Sequence, residues 1–279
     1  MRNMKKETII AALALLAIIA GCETQYEALL SSNDVEAKYA AAMEYFNNKK
    51  YQRAAQLFES MAILTNGTER DDTVQYYWGL SNYRYKDYPT AMSNFDRFLS
   101  NFPQSPFAED AYFLRLDCMY RATYRYELDQ TPTKACLQSI EEFMRQYPED
   151  SPHLEACRLM RADLNERLDH KAYEAARLYY KMEDYLASRV AFRNVLKDNA
   201  ENIYREDILY YTAMSSYHYA RLSVAAKQKE RYLVFLDDYL NFVGEYPDSH
   251  YMRELEVMHK RALKALGRFT GSDEELKLK

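Results

Sequence analysis

Five histidines, and adjacent carboxylate pairs such as Glu141-Glu142 and Asp237-Asp238, are among the side chains here that could do acid–base or metal chemistry. The histidines are His153, His170, His218, His250 and His259. None stands at the H-E-x-x-H spacing, which would set two imidazoles on one helix face for zinc. Glu141-Glu142 and Asp237-Asp238 are neighbours in sequence, so on a helix their carboxyls point to different faces. They read as solvated surface rather than as an acid and base flanking a substrate. No G-x-S-x-G elbow or Gly-rich phosphate cradle occurs. The chemistry of the chain is therefore read as binding, with no cofactor, no metal and no catalytic residue.

One thiol stands in a different context. Arg2, Lys5 and Lys6 precede an apolar run from Ile9 to Ala20, which ends in Ile19-Ala20-Gly21-Cys22. The run is shorter than the roughly 20 residues a helix needs to span a bilayer, and residues 1–21 read as a secretory signal. Small residues before a cysteine resemble the bacterial lipobox, in which that thiol is acylated and becomes the mature N-terminus. Cys22 is the expected lipidation site, carrying fatty acyl chains such as palmitate. Each buried methylene contributes about 0.8 kcal/mol, and stable anchoring takes more than one chain. Cleavage would remove Arg2, Lys5, Lys6 and Glu7, a net +2, and leave −7 on a chain whose formal charge is −5. With that charge and no basic stripe, nucleic acid is not an expected partner. Cys118, Cys136 and Cys157 read as buried thiols acting as small hydrophobes, at spacings that fit no zinc pattern.

The elements that must carry a binding surface are helices. The 279 residues include only 6 Gly and 7 Pro, too few for the turns of an all-β or doubly wound fold. Aromatics make up 14%, and 27 of them are Tyr, a residue suited to surfaces half buried and half wet. One pattern recurs: Tyr51, Ala54, Phe58; then Tyr88, Ala91, Phe95; then Tyr185, Ser188, Phe192. Each copy follows a short polar turn. Ahead of each turn lies a helix with a small residue where two helices must approach: Ala42, Gly79 and Ala176. The first two copies are offset close to the period of about 34 that marks tetratricopeptide repeats. A second element, aromatic-Pro followed by Ser, stands at Phe102-Pro103, Tyr147-Pro148 and Tyr246-Pro247. Proline pushes its predecessor out of the α region, and Ser105, Ser151 and Ser249 would cap the next helix.

These signals predict an all-α tetratricopeptide-repeat solenoid of about five helix pairs, at 34–65, 72–102, 105–147, 151–198 and 203–247. A capping helix over 249–267 completes it. The domain reading is a signal at 1–21, a lipidated tether at 22–33, N-terminal repeats at 34–147, C-terminal repeats at 148–267 and a polar tail at 268–279. The first helices of such pairs line one face. Tyr39, Met43, Phe46, Tyr76, Leu80, Tyr83 and Arg84 are the predicted peptide-binding groove, since aromatics with an occasional Arg make good anchors for an extended peptide. Tyr173, Arg177 and Tyr180 are their counterparts in the fourth pair.

A lipobox followed at once by five such pairs with Tyr-Pro-x-Ser junctions resembles the BamD family, lipoproteins of the outer-membrane β-barrel assembly machinery. The stretches that carry it include residues 37–42 (AKYAAA), 87–91 (DYPTA), 105–111 (SPFAEDA) and 175–180 (AARLYY). The resemblance implies a periplasm-facing scaffold, anchored in the outer membrane, with no bond chemistry of its own. Its N-terminal repeats would receive the C-termini of unfolded outer-membrane proteins. Its C-terminal repeats, through Tyr173, Arg177 and Tyr180, would dock the periplasmic domains of the central barrel subunit. Another periplasmic tetratricopeptide lipoprotein, such as a secretin pilotin or a cell-envelope scaffold, and a glycan-binding lipoprotein remain the alternatives. The stretch 223–231 and the tail 271–279 have no clear counterpart in the repeat pattern.

Overall fold

A computed structural model describes residues 25–147 and 150–277, with side chains through 267. The signal sequence and Cys22 lie outside the described residues. Every regular element among those described is helical. After a helical segment at 25–31 come α1 (Val35–Asn47), α2 (Tyr51–Ala62), α3 (Asp71–Tyr85), α4 (Tyr88–Asn101), α5 (Ala108–Arg121) and α6 (Thr131–Gln146). Then follow α7 (Leu154–Lys181), α8 (Tyr185–Asp198), α9 (Arg205–Arg221), α10 (Ala225–Glu245) and α11 (Met252–Lys277). This is the all-α architecture of tetratricopeptide-type helix pairs that the aromatic pattern predicts. The helices cluster into two compact units. One takes in the described residues up to Tyr124 and Thr131–Met160; the other takes in Arg125–Gln130 and the residues from Arg161 onward.

The turn within three of the pairs is built the same way. Lys49, Lys86 and Glu183 each take a left-handed conformation, with φ of 60°, 71° and 60°. The next amide reaches back to close the helix: Lys50 to the Tyr45 carbonyl (2.8 Å), Asp87 to Asn82 (3.0 Å) and Asp184 to Tyr179 (3.1 Å). This is the helix-ending motif in which a left-handed residue satisfies the last carbonyls. Asp87 and Asp184 then cap the second helix, accepting from the amides of Thr90 and Ala187. Asp34 does the same for α1 through Ala37.

Within each pair the small residue and the aromatic of the repeat pattern pack in the core. Ala42 and Phe58 are fully buried, as are Ala91, Phe95 and Phe192, and Ala176 is 2% exposed. Gly79 is closest to its neighbour: a methyl added there would lie 2.8 Å from the Phe95 ring. Two polar pairs join helices within this packing. Asn82 donates to Asn94 (2.9 Å), and Ser215 donates to Ser188 (2.9 Å).

Four features differ from the sequence reading. The junction serines sit before the helix starts rather than at its cap. Ser105 accepts from the Phe107 amide and donates to Asp72 (2.8 Å), so it fastens a turn to the preceding pair. Ser151 likewise donates to Glu109. Within the span read as a tether, residues 25–31 are helical and Tyr26 is buried against the first pair. Asp238 is not a solvated carboxylate; it is buried and chelated by Arg189. Finally, α11 continues past 267 into the segment read as a polar tail, where Asp273, Glu274, Glu275, Leu276 and Lys277 supply mostly helix-compatible residues and no proline stops it.

Candidate functional site

The first helices of the first two pairs, α1 and α3, carry the seven residues predicted to form a groove. Their degree of burial differs. Tyr76 is 6% exposed, with its ring stacked on Phe107 at 4.5 Å and its hydroxyl 3.4 Å from Asp110. Leu80 is also buried. Both belong to the core between the second and third pairs. Tyr39, Met43, Phe46 and Tyr83 are half-buried, and Arg84 is exposed. The Tyr39 ring lies edge-on to Phe58 and under the Arg70 guanidinium, 4.7 Å from its centre. Phe46 meets Tyr51 and Tyr77 edge-on, each at 5.4 Å. The surface these helices offer is therefore aromatic edges with cations over them, while Tyr76 and Leu80 hold the helices together.

Tyr83 is both half-buried and tied down. Its hydroxyl donates to Asp117 at 2.7 Å, as that of Tyr76 does to Asp110, and each pair is 34 residues apart. Thus α3 and α5 are joined by two tyrosine–carboxylate links, each spanning one repeat. Burial first, then the Asp117 carboxylate, raise the Tyr83 pKa to about 12, and burial with Asp110 raises that of Tyr76 further. Because the folded value lies above the unfolded one near 10, this contribution is complete below about pH 10 and is lost as pH rises towards about 12. Tyr83→Phe is expected to flatten the alkaline decline of stability over that window, read from urea midpoints. An unchanged decline would mean that Tyr83 ionises as freely in the fold as out of it.

In the second unit, α7 places Tyr173, Arg177 and Tyr180 at successive turns. Tyr173 is buried, stacked on Tyr204 at 4.7 Å with the rings 6° from parallel. Arg177 pairs with Glu174 (2.6 Å) and stands 5.9 Å from the ring centres of Tyr173 and Tyr211. Tyr180 packs edge-on to Tyr211 and Tyr185, and burial first pushes its hydroxyl up to about 12. Arg177 and Tyr180 keep accessible atoms; Tyr173 serves the core. Exposed apolar side chains near the next turn, Leu178, Tyr179, Met182, Leu186 and Val190, form no part of the predicted set. They could have been found as apolar residues on helix faces left over once the repeat pattern is assigned.

Sequence reasoning also missed Lys38. It is 2% exposed, and its ammonium donates to the Leu30 carbonyl (2.9 Å) and to Ser60 (3.1 Å), with burial lowering its pKa. It fastens segment 25–31 to the first pair. Cys118, Cys136 and Cys157 are buried. Burial raises the Cys118 pKa to about 12 and that of Cys157 to about 11, far from the range of a reactive thiolate. Among the described residues no group of His, Cys, Asp or Glu could hold a metal ion, and no helix is long and apolar enough to cross a membrane.

Comparison with known proteins adds the following. The family model described as YfiO, outer membrane lipoprotein, matches residues 31–233. The chain is 23% identical over 246 residues to the outer membrane protein assembly factor BamD of Caulobacter vibrioides, covering 86% of this chain and 78% of that protein. It is 23% identical over 231 residues to the protein of the same name from Rickettsia prowazekii, covering 81% and 89%. Among solved structures, the TPR2AB-domain:pHSP90-complex of yeast Sti1 aligns with 82% of this chain and 98% of its own, at 12% identity and a TM-score of 0.39.

Proposed function

The chain belongs to the YfiO family of outer membrane lipoproteins, and from that premise we propose that it is a lipid-anchored scaffold of outer-membrane protein assembly. The match over 31–233, with two relatives named assembly factors, carries this reading. It works by binding and presentation, with no bond chemistry. The lipid enters the outer membrane through Cys22 and the helical body faces the periplasm.

The accessible aromatic edges of Tyr39, Phe46 and Tyr83, with Met43 and Arg84 beside them, receive the C-terminal segment of an unfolded outer-membrane protein. Aromatics and Arg are the side chains that concentrate binding energy at such surfaces. Tyr76 and Leu80 act one step back by holding α3 in place. Arg177 and Tyr180, set by the Tyr173–Tyr204 stack, dock the periplasmic domains of the central barrel subunit. Half-buried aromatics on helices are suited to this, since packing has already limited their freedom and little is lost on binding.

The test is a mild-detergent pull-down of tagged full-length protein from membranes, read by mass spectrometry. The expected result is a large outer-membrane barrel with periplasmic domains in near-stoichiometric amount. Cys22→Ser should leave the chain out of the outer-membrane fraction. Recovery of a secretin or of division proteins in place of the barrel would overturn the assignment.

A further inference from the structure

The last helix, α11, begins beyond the span that the family model matches, and one of its faces is strongly cationic. Leu255 and Ala262, both fully buried, pack it into the core shared with α9 and α10. Projected down the helix, Arg253, Val257, Lys260, Arg261 and Lys264 fall on the opposite side, within roughly 100° of arc. All five are exposed. Several exposed cations elsewhere are met by carboxylates, as Arg70 is by Glu36 (2.8 Å), Lys181 by Glu174 (3.3 Å) and Lys227 by Glu230 (3.5 Å). Among the described residues, no carboxylate stands within ion-pair distance of the four cations on α11. Arg261 meets the Met258 sulfur at 4.0 Å, and Glu254 is turned away to accept from the Tyr210 hydroxyl (2.9 Å). Glu256 stands at the edge of the arc. On a chain of formal charge −5, this is a concentrated and uncompensated positive face.

The make-up of the face says what neutralises it. Protein interfaces are built round an apolar centre and are poor in Lys. Here two of the four cations are Lys, and the exposed apolar side chains, Val257 and Leu263, stand singly. An anionic lipid surface asks for no apolar centre, because each Lys or Arg brought near it adds its own attraction. We propose that this face of α11 rests on the anionic phospholipid headgroups of the leaflet in which the chain is anchored. This rests on acylation of Cys22, which holds the protein at that surface and so makes a weak electrostatic contact count. The acyl chains fix one point of the protein. The α11 face fixes a second, and with it the side of the second unit that is turned to the membrane.

The test uses the full-length acylated protein in proteoliposomes of phosphatidylcholine, with or without phosphatidylglycerol. A fluorophore on Val257→Cys reports contact through quenching by a lipid whose headgroup carries a spin label. Cys118, Cys136 and Cys157 are buried and stay unlabelled. Quenching is expected to rise with phosphatidylglycerol and to vanish at high salt, where the charges are screened. Lys260→Gln with Lys264→Gln should lower the docked-to-undocked ratio about thirtyfold. Glu256→Gln should raise quenching, an opposite shift that fraying of α11 would not produce. Equal quenching with and without phosphatidylglycerol, indifference to salt, or no effect of the double lysine variant would each overturn the proposal. Shielding of the fluorophore by an acidic protein, with no response to phosphatidylglycerol, would give the face to a protein partner instead. Anchored protein whose α11 ignores phosphatidylglycerol sinks this proposal alone; protein that does not float with the vesicles sinks the anchor reading.

Discussion

Arg189→Ala destabilises the second unit by about 3–5 kcal/mol, the range for removing one partner of a buried ion pair. Arg189 grips Asp238 with both ends of its fork, Nε to Oδ2 at 2.6 Å and Nη2 to Oδ1 at 2.9 Å. The Asp238 side chain is 6% exposed and that of Arg189 16%. Ser216 of α9 donates to the same carboxylate, so one buried anion joins α8, α9 and α10. Without the guanidinium, that carboxylate keeps its desolvation cost and loses most of its compensation. The double substitution Arg189→Met, Asp238→Leu should recover most of the loss, because it removes both charges and retains volume. Urea unfolding of the full chain and the two variants tests this. A loss below about 1 kcal/mol in Arg189→Ala would put the pair in the class of exposed salt bridges.

The second large effect is at Gly79. Replacing a helical glycine normally gains about 0.5–1 kcal/mol in propensity. Here the sign reverses. A Cβ would stand 2.8 Å and 3.1 Å from the Phe95 ring and 3.3 Å from Asn94 Cβ. Phe95 is fully buried, and Asn94 is bonded to Asn82. Neither can yield without moving α4 off α3. Gly79→Val should therefore cost about 2–3 kcal/mol by overpacking. Gly244, in α10, has nothing within 4 Å of the same added atom, and Gly244→Ala should gain about 0.5 kcal/mol. Thermal denaturation of both variants gives the comparison, and a destabilised Gly244→Ala would show that crowding is not the cause at Gly79.

The helix pairs were legible because local rules write them. The Tyr51/Ala54/Phe58 pattern, the polar turns and the prolines after Phe102 and Tyr246 act within a few residues of themselves. What escaped was set across the fold. Lys38 reads as an ordinary exposed lysine on α1 until Leu30 and Ser60 are brought to it. Asp238 reads as half of a solvated pair until Arg189, 49 residues away, arrives. Helical register gives the face of a helix and not what the next pair lays over it. Phe107 covers Tyr76 and Tyr204 covers Tyr173, so these two tyrosines are packing where Tyr39 and Tyr83 keep accessible edges.

The three buried thiols have a consequence for how the chain matures. Cys118, Cys136 and Cys157 belong to the same unit, and all three are buried. In an oxidising compartment an unfolded chain offers all three to disulfide exchange, whereas the folded chain offers none. Packing α5, α6 and the start of α7 is thus a race between burial and oxidation. The winner can be timed: the rate at which a thiol reagent reaches each cysteine is a direct clock of how often its helix opens.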